Sequence, residues 1–200
     1  AGFGHILRCS AIRSALEEAG IRTELIVQGD DSVRRVLGAG RYKAAAWRNG
    51  AAGKAVSGAD LALIDSYLAS AEVYRCLAGS AKHCLYLDDT SRLAYPRGTV
   101  INYNAYGAGM RYPARPGVKY LLGPAYAPLR REFISVPGRR ILKRMKKALL
   151  IFGGSDITGL TRKTLEFLAA HYPEMEKLVV IGAANREGEV LGLKKFGKTR

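Results

Sequence analysis

Cysteine, tryptophan and histidine are scarce in this chain of 200 residues, with three, one and three copies. Cys9, Cys76 and Cys84 are too few and too unevenly spaced for a disulfide framework or a zinc site, so they read as reduced thiols in or near the core. No run of about 18 apolar residues occurs, which excludes a membrane-spanning helix. No basic-then-apolar leader opens the sequence, so a cytoplasmic address is expected. Glycine and proline total 30 residues, too few for collagen or wholesale disorder. A composition of 48% hydrophobic and 24% charged residues describes a globular α/β chain.

Acidic residues are the other shortage: 17 stand against 32 basic ones, a net charge of +15. Such an excess raises nucleic acid or an anionic surface as a partner. Its distribution argues otherwise. Residues 139–147 carry six basic side chains and residues 194–200 carry four, with no acid in either run, so the remainder has a net charge of only +5. Local runs fit grooves for anionic ligands, whereas a general nucleic-acid face would interleave basic residues with exposed aromatics; no nucleic-acid partner is expected. The run Arg139–Lys147 reads as a linker and a solvated face.

What is present alternates between helix and strand. Residues 6–19 place Leu7, Ala11 and Ala15 on one stripe with Ile12, Leu16 and Ala19 beside it, and Gly20 as a stop, predicting an amphipathic helix. Strands are expected at Glu24–Gln28, Leu61–Asp65, Cys84–Leu87, Thr99–Asn102 and Tyr120–Leu122, with a helix over Ala69–Leu77. After a break at Pro128, Pro137 and Gly138, a new strand (Ala148–Phe152), loop, helix (Leu160–Ala170) and strand (Leu178–Ile181) begin. This alternation predicts βαβ units around parallel sheets. The expected division is an N-terminal domain over 1–127, a basic linker over 128–146 and a second domain from 147 to 200. A glycine loop opening a helix calls for a strand before it, and one βαβ unit cannot close a core, so the chain reads as an internal piece of a longer two-domain protein.

Polar residues cluster where these strands end. Gly2-Phe3-Gly4-His5 puts an imidazole on the first turn of a helix, where free N–H groups and the helix dipole disfavour imidazolium and keep a base neutral. Asp65 and Tyr67 follow one strand, Asp88 and Asp89 the next, and Asn102, Tyr103 and Asn104 a third. In open α/β sheets ligands bind beyond the carboxyl ends of the strands. Each motif also has a structural explanation, as N-cap or turn former.

In order, GFGHILRC, LIDSY, LDD, NYNAY, LLGPAYAPLRREF and IFGGSD with ITGLT resemble the UDP-2,4-diacetamido-2,4,6-trideoxy-β-L-altropyranose hydrolases (PseG type) of pseudaminic acid biosynthesis, including related spore-coat polysaccharide proteins. The resemblance spans essentially the whole chain. It implies a GT-B-like architecture of two Rossmann-type domains with parallel sheets, the second incomplete here. It implies metal-independent hydrolysis of the glycosyl C–O bond of a UDP-sugar, without a cofactor. The family's catalytic histidine falls on His5, its strand-end tyrosine on Tyr67, and the start of its nucleotide site on the loop Gly153, Gly154, Ser155 and Asp156.

The residues suit that chemistry. UDP is already a good leaving group, so the protein must supply an activated water, an oriented anomeric carbon and donors for the diphosphate. His5 can take the water's proton, with Asp65 or Asp89 to orient it. Gly4, Asp89 and Asn104 are candidate substrate contacts, and Arg8 is either a diphosphate contact or a structural ion-pair partner. Backbone N–H groups around Gly153–Ser155 can receive phosphates, while Asp156 reads as an N-cap. His83 and His171 read as locally hydrogen-bonded, and Tyr42 and Trp47 as core or cleft lining. The competing readings are a nucleotide-sugar glycosyltransferase of the same fold, a basic RNA-binding protein, and a non-catalytic fragment; the chain alone is expected to be inactive.

Overall fold

The structure is a computed structural model and describes residues 3–38, 40–49, 51–138, 141, 143–153, 156 and 158–182. Two compact units emerge, Phe3–Val136 and a second that begins at Pro137.

The first unit opens with α1 (Gly4–Glu18), β1 (Ile26–Val27), α2 (Ser32–Leu37) and β2 (Lys43–Ala44), and β1 pairs with β2 in parallel, Ile26 opposite Lys43. A short α3 (Ala52–Ala55) leads to β3 (Leu61–Asp65), α4 (Ala71–Ser80), β4 (His83–Leu87), β5 (Gly98–Asn102) and β6 (Val118–Leu122). These four strands form an all-parallel sheet in sequential order. Parallel strands, with α4 crossing between β3 and β4, make this the α/β, Rossmann-like class expected.

Strand alternation builds its main core. Ile64, Tyr86 and Val100 lie in register across β3, β4 and β5 and, with Ala62 and Cys84, turn one face towards α4. Helix α4 answers with Val73, Tyr74, Leu77 and Ala78, the buried stripe of an amphipathic helix. It starts where Ser70 Oγ accepts a hydrogen bond from Val73 N at 3.4 Å, an N-cap. Tyr74, Leu77 and Tyr86 are fully buried, and each large side chain so placed contributes about 1.5–3 kcal/mol. The buried hydroxyls remain satisfied: Tyr74 donates to Ser66 O at 3.1 Å and Tyr86 to Arg97 O at 2.9 Å. Trp47 packs on this core, and Tyr42 packs on a smaller cluster of Val27, Val33 and Leu37.

Helix α1 departs from its expected pattern. Leu7 and Ala15 of the predicted apolar stripe are exposed, and no residue of α1 is fully buried. Its inward side is formed instead by His5, Arg8 and Cys9, which reach Asp65 at the end of β3. Asp65 lies on the sheet face opposite Ile64. The first turns of the helix are thus polar inward, and of the apolar residues marked in the sequence Ala11, Ile12 and Leu16 are half-buried while Leu7, Ala15 and Ala19 are exposed.

The second unit contains β7 (Lys147–Ile151), α5 (Leu160–His171) and β8 (Glu176–Val180), a parallel βαβ unit with Lys147 opposite Glu176. Leu150 and Leu165 form its buried centre, and Leu149, Ile151, Leu178 and Val180 remain exposed. Both carboxylate oxygens of Asp156 accept from the first turn of α5, from Leu160 N at 2.8 Å and Thr161 N at 2.9 Å. Lys177 is completely buried, and its ammonium donates to Tyr172 O and Pro173 O at 3.0 and 3.2 Å. No helix among the described residues is long and apolar enough to cross a membrane.

Candidate functional site

Three strands of the sheet end in the same way. One residue beyond each strand's part in the Asp65–Leu87–Ile101 row stands a side chain that bends the chain back on itself: Ser66, Asp88 and Asn102. Ser66 Oγ accepts from Leu68 N and Ala69 N, both at 3.1 Å. Asp88 Oδ1 accepts from Thr90 N at 3.2 Å, and its other oxygen accepts from Tyr112 OH at 3.2 Å. Asn102 Oδ1 accepts from Asn104 N and Asn104 Nδ2 at 3.1 and 3.0 Å, while its amide nitrogen donates to Tyr112 OH at 3.2 Å. Side chains that accept from the backbone two or three residues on are the chemistry of tight turns. The residue after each turn former is the one presented beyond the strand end: Tyr67, which is exposed, and Asp89 and Tyr103, which are half-buried.

These presented residues and α1 make a connected cluster. His5 Nδ1 lies 2.5 Å from Asp65 Oδ1, and Arg8 grips the same carboxylate with two nitrogens, Nε to Oδ2 at 2.7 Å and Nη2 to Oδ1 at 2.6 Å. The third guanidinium nitrogen of Arg8 donates to Tyr103 OH, and the cation sits 5.3 Å from that ring's centre. Tyr67 meets His5 edge to face at 4.5 Å between ring centres and donates its hydroxyl to Asp89. The Asp65 side chain is only 2% exposed, Arg8 15% and His5 25%.

Protonation follows from these contacts. Burial pushes the Asp65 carboxyl upward, but the bonds from His5 and Arg8, with the charge of Arg8, outweigh it and hold the group below the ordinary carboxylate range. An ionised carboxylate 2.5 Å from a ring nitrogen requires a proton on that nitrogen, so Nδ1–H donates to Asp65, and in the neutral form of the ring the lone pair is on Nε2. The bond to Asp89, burial and the Asp89 charge push the Tyr67 phenol up to about 12, so it is a neutral donor near pH 7. Burial and the charge of Asp65 push the Cys9 thiol up to about 12, which leaves it a poor nucleophile.

The residues expected from sequence divide accordingly. His5, Asp65, Tyr67 and Arg8 come together, and Asp89 joins them through Tyr67. The two carboxylates have separate partners, Asp65 with His5 and Asp89 with Tyr67. All three nitrogens of Arg8 are engaged by Asp65 and Tyr103, so of its two readings the ion pair is the arrangement found. Asn104 binds Asn102 and braces the β5 loop. A Cβ added at Gly4 would meet nothing within 4 Å, so this end of α1 is open. In the second unit Gly153 has a left-handed backbone, φ +74°; Gly154 and Ser155 lie outside the described residues. His83 meets Thr99 Oγ1 of the neighbouring strand β5 at 3.3 Å, a contact across the sheet rather than the local one expected, and His171 meets Phe167 O one turn back at 2.9 Å. Tyr103 was missed as a site residue. Its signal is its place after Asn102, matching Tyr67 after Ser66 and Asp89 after Asp88. Among the described residues no group of three or more His, Cys, Asp or Glu side chains could hold a metal ion.

An imidazole fixed by a buried carboxylate beside a neutral phenol can accept a proton from water or a hydroxyl. A protein of Helicobacter pylori (strain ATCC 700392 / 26695), the pseudaminic acid cytidylyltransferase and UDP-2,4-diacetamido-2,4,6-trideoxy-β-L-altropyranose hydrolase, is 25% identical over 158 residues, 78% of this chain and 27% of that protein. The relation is distant. The chain spans about a quarter of its relative's length. No family model matches it.

Proposed function

We propose that the protein hydrolyses a UDP-linked diacetamido-trideoxyhexose at the anomeric C–O bond, releasing UDP and the free sugar, within the two-domain GT-B-like architecture that its sequence motifs imply. The observation that carries this reading is the His5–Asp65 contact of 2.5 Å, with Tyr67 against the imidazole ring.

In the proposed reaction a water oxygen bonds to the anomeric carbon, the bond from that carbon to the UDP oxygen breaks, and the water's proton passes to Nε2 of His5. UDP leaves as the anion. Asp65 fixes the tautomer and stabilises the imidazolium that forms, as a buried carboxylate does for a histidine base. Tyr67 orients the sugar or the water through its neutral hydroxyl, and Asp89 holds that hydroxyl in place. Gly4 leaves room above the first turn of α1 for the sugar. Phosphate recognition is proposed for the loop Gly153, Gly154 and Ser155, the positions onto which the resemblance carries the start of the family's nucleotide site.

Turnover of the UDP-sugar in H₂¹⁸O, with no acceptor added, tests the reaction. The label is expected on the sugar's anomeric hydroxyl and absent from UDP. Label in UDP, or turnover only after an acceptor alcohol is supplied, contradicts the proposal.

A further inference from the structure

Arg8 holds Asp65 far more extensively than a lone ion pair needs. Its Nε and Nη2 occupy both oxygens of the carboxylate at 2.7 and 2.6 Å, and Tyr103 OH fixes the remaining arm. Its Nη2 also lies 3.0 Å from His5 Nδ1. Since Nδ1 bears the proton given to Asp65, this last approach sets two donors side by side and is repulsive once the ring is cationic. The arrangement places a permanent cation against an imidazole that must alternate between neutral and charged forms.

A buried carboxylate by itself favours imidazolium, because the charged ring is its natural counter-ion. A base held protonated cannot accept a proton from water. From these contacts we propose that Arg8 is a positioning residue that keeps His5 available as a free base, by neutralising Asp65 and opposing a second positive charge beside it. The inference rests on His5 being the base of the proposed hydrolysis. The groups facing His5 are Asp65 at the end of β3, Arg8 on α1 and Tyr67 beyond β3. Cys9, with its thiol protonated, contacts only Asp65, and Asp89 is engaged by Tyr67. Among the described residues of this cluster, Arg8 is therefore the single fixed positive charge in contact with the ring.

The test is an NMR titration of the His5 imidazole in the unsubstituted protein and in Arg8→Gln, Arg8→Met and Arg8→Lys, with the His5 signal assigned by its loss in His5→Gln. Glutamine retains an N–H donor for Asp65 and removes the charge; lysine retains the charge and loses the fork. The His5 midpoint is expected to move to higher pH by about one unit or more in Arg8→Gln and Arg8→Met, and by less than half as much in Arg8→Lys. The acidic limb of the pH–rate profile should move with it. An unchanged or lower midpoint in Arg8→Gln overturns the proposal. So does unfolding of both neutral variants with Arg8→Lys folded, which would assign Arg8 to the fold. Because the titration is read without turnover, it stands apart from the hydrolase reading. A shifted midpoint with no hydrolysis in any variant supports the role of Arg8 and refutes that of the reaction.

Discussion

Replacing Asp65 by asparagine should destabilise the first unit by about 2–4 kcal/mol at pH 7. Asp65 receives three nitrogen donors, one from His5 and two from Arg8, besides the Cys9 thiol at 3.8 Å, and hydrogen bonds to a charged group are each worth about 1.5–3 kcal/mol without adding fully. Removing one partner of a buried ion pair costs about 3–5 kcal/mol, because the other is left buried and unpaired. Asparagine keeps one oxygen for Arg8, and Arg8 and His5 retain some contact with water, which lowers the expectation into the stated range. Urea unfolding read by Trp47 fluorescence is the assay, since Trp47 is the sole tryptophan and packs against the core of this unit. A single-unit probe is needed because a two-unit chain need not unfold in one step.

The pH dependence supplies a second handle on the same residue. The folded Asp65 carboxyl titrates below its ordinary value, so its stabilisation is complete above the unfolded value near pH 3.9 and is lost as pH falls through the folded one. The gap between unsubstituted protein and Asp65→Asn should be full at pH 7 and close progressively below about pH 4. A loss under about 0.5 kcal/mol at pH 7, the range of ordinary surface substitutions, would refute the reasoning. A gap that widened on acidification would refute it as well.

Three further outcomes are expected. Tyr67→Phe should lower kcat about tenfold or more with little change in urea stability, since the side chain is 46% exposed and its hydroxyl binds only Asp89; unchanged kcat would remove Tyr67 from the reaction. Gly98→Ala should cost about 1–3 kcal/mol in the Trp47 unfolding assay, because φ is +144° and the new Cβ would lie 2.6 Å from Cys84 O. With Ellman's reagent at pH 8, Cys76 should react first, because it is exposed while Cys84 is buried and Cys9 is pushed up to about 12; rapid modification of Cys9 would contradict the protonation assigned around Asp65.

The parts of the fold legible in the sequence are those where one physical signal acted alone. Helix α4 shows the periodicity of its buried stripe, Val73, Tyr74, Leu77 and Ala78, and β3 and β4 show as apolar runs. Strand β2 left no mark, because Lys43 and Ala44 are both exposed and no hydrophobic pattern is imposed there. Helix α1 was placed correctly, but apolar periodicity did not show its polar inward residues His5 and Arg8, whose partner Asp65 ends β3. At the site, the residue types were visible before their partners were. Nothing in the spacing separates Asp65 from Asp89 as the companion of His5; the choice depends on α1 lying over the end of β3. The bond from Asn104 to Asn102 was not legible either, because a side chain that braces a turn and one that binds a sugar share the same chemistry. The alternation of turn former and presented residue, Ser66 and Tyr67, Asp88 and Asp89, Asn102 and Tyr103, needed the register of the sheet to become a pattern.

The central claim is that His5 accepts the proton of the attacking water. Steady-state release of UDP from the UDP-diacetamido sugar, measured beside UDP binding by calorimetry for the protein and for His5→Asn, addresses it most directly. The substitution should lower kcat by about two to four orders of magnitude and leave UDP affinity near that of the unsubstituted protein, because His5 meets the water rather than the nucleotide. Near-full turnover in His5→Asn would contradict the account.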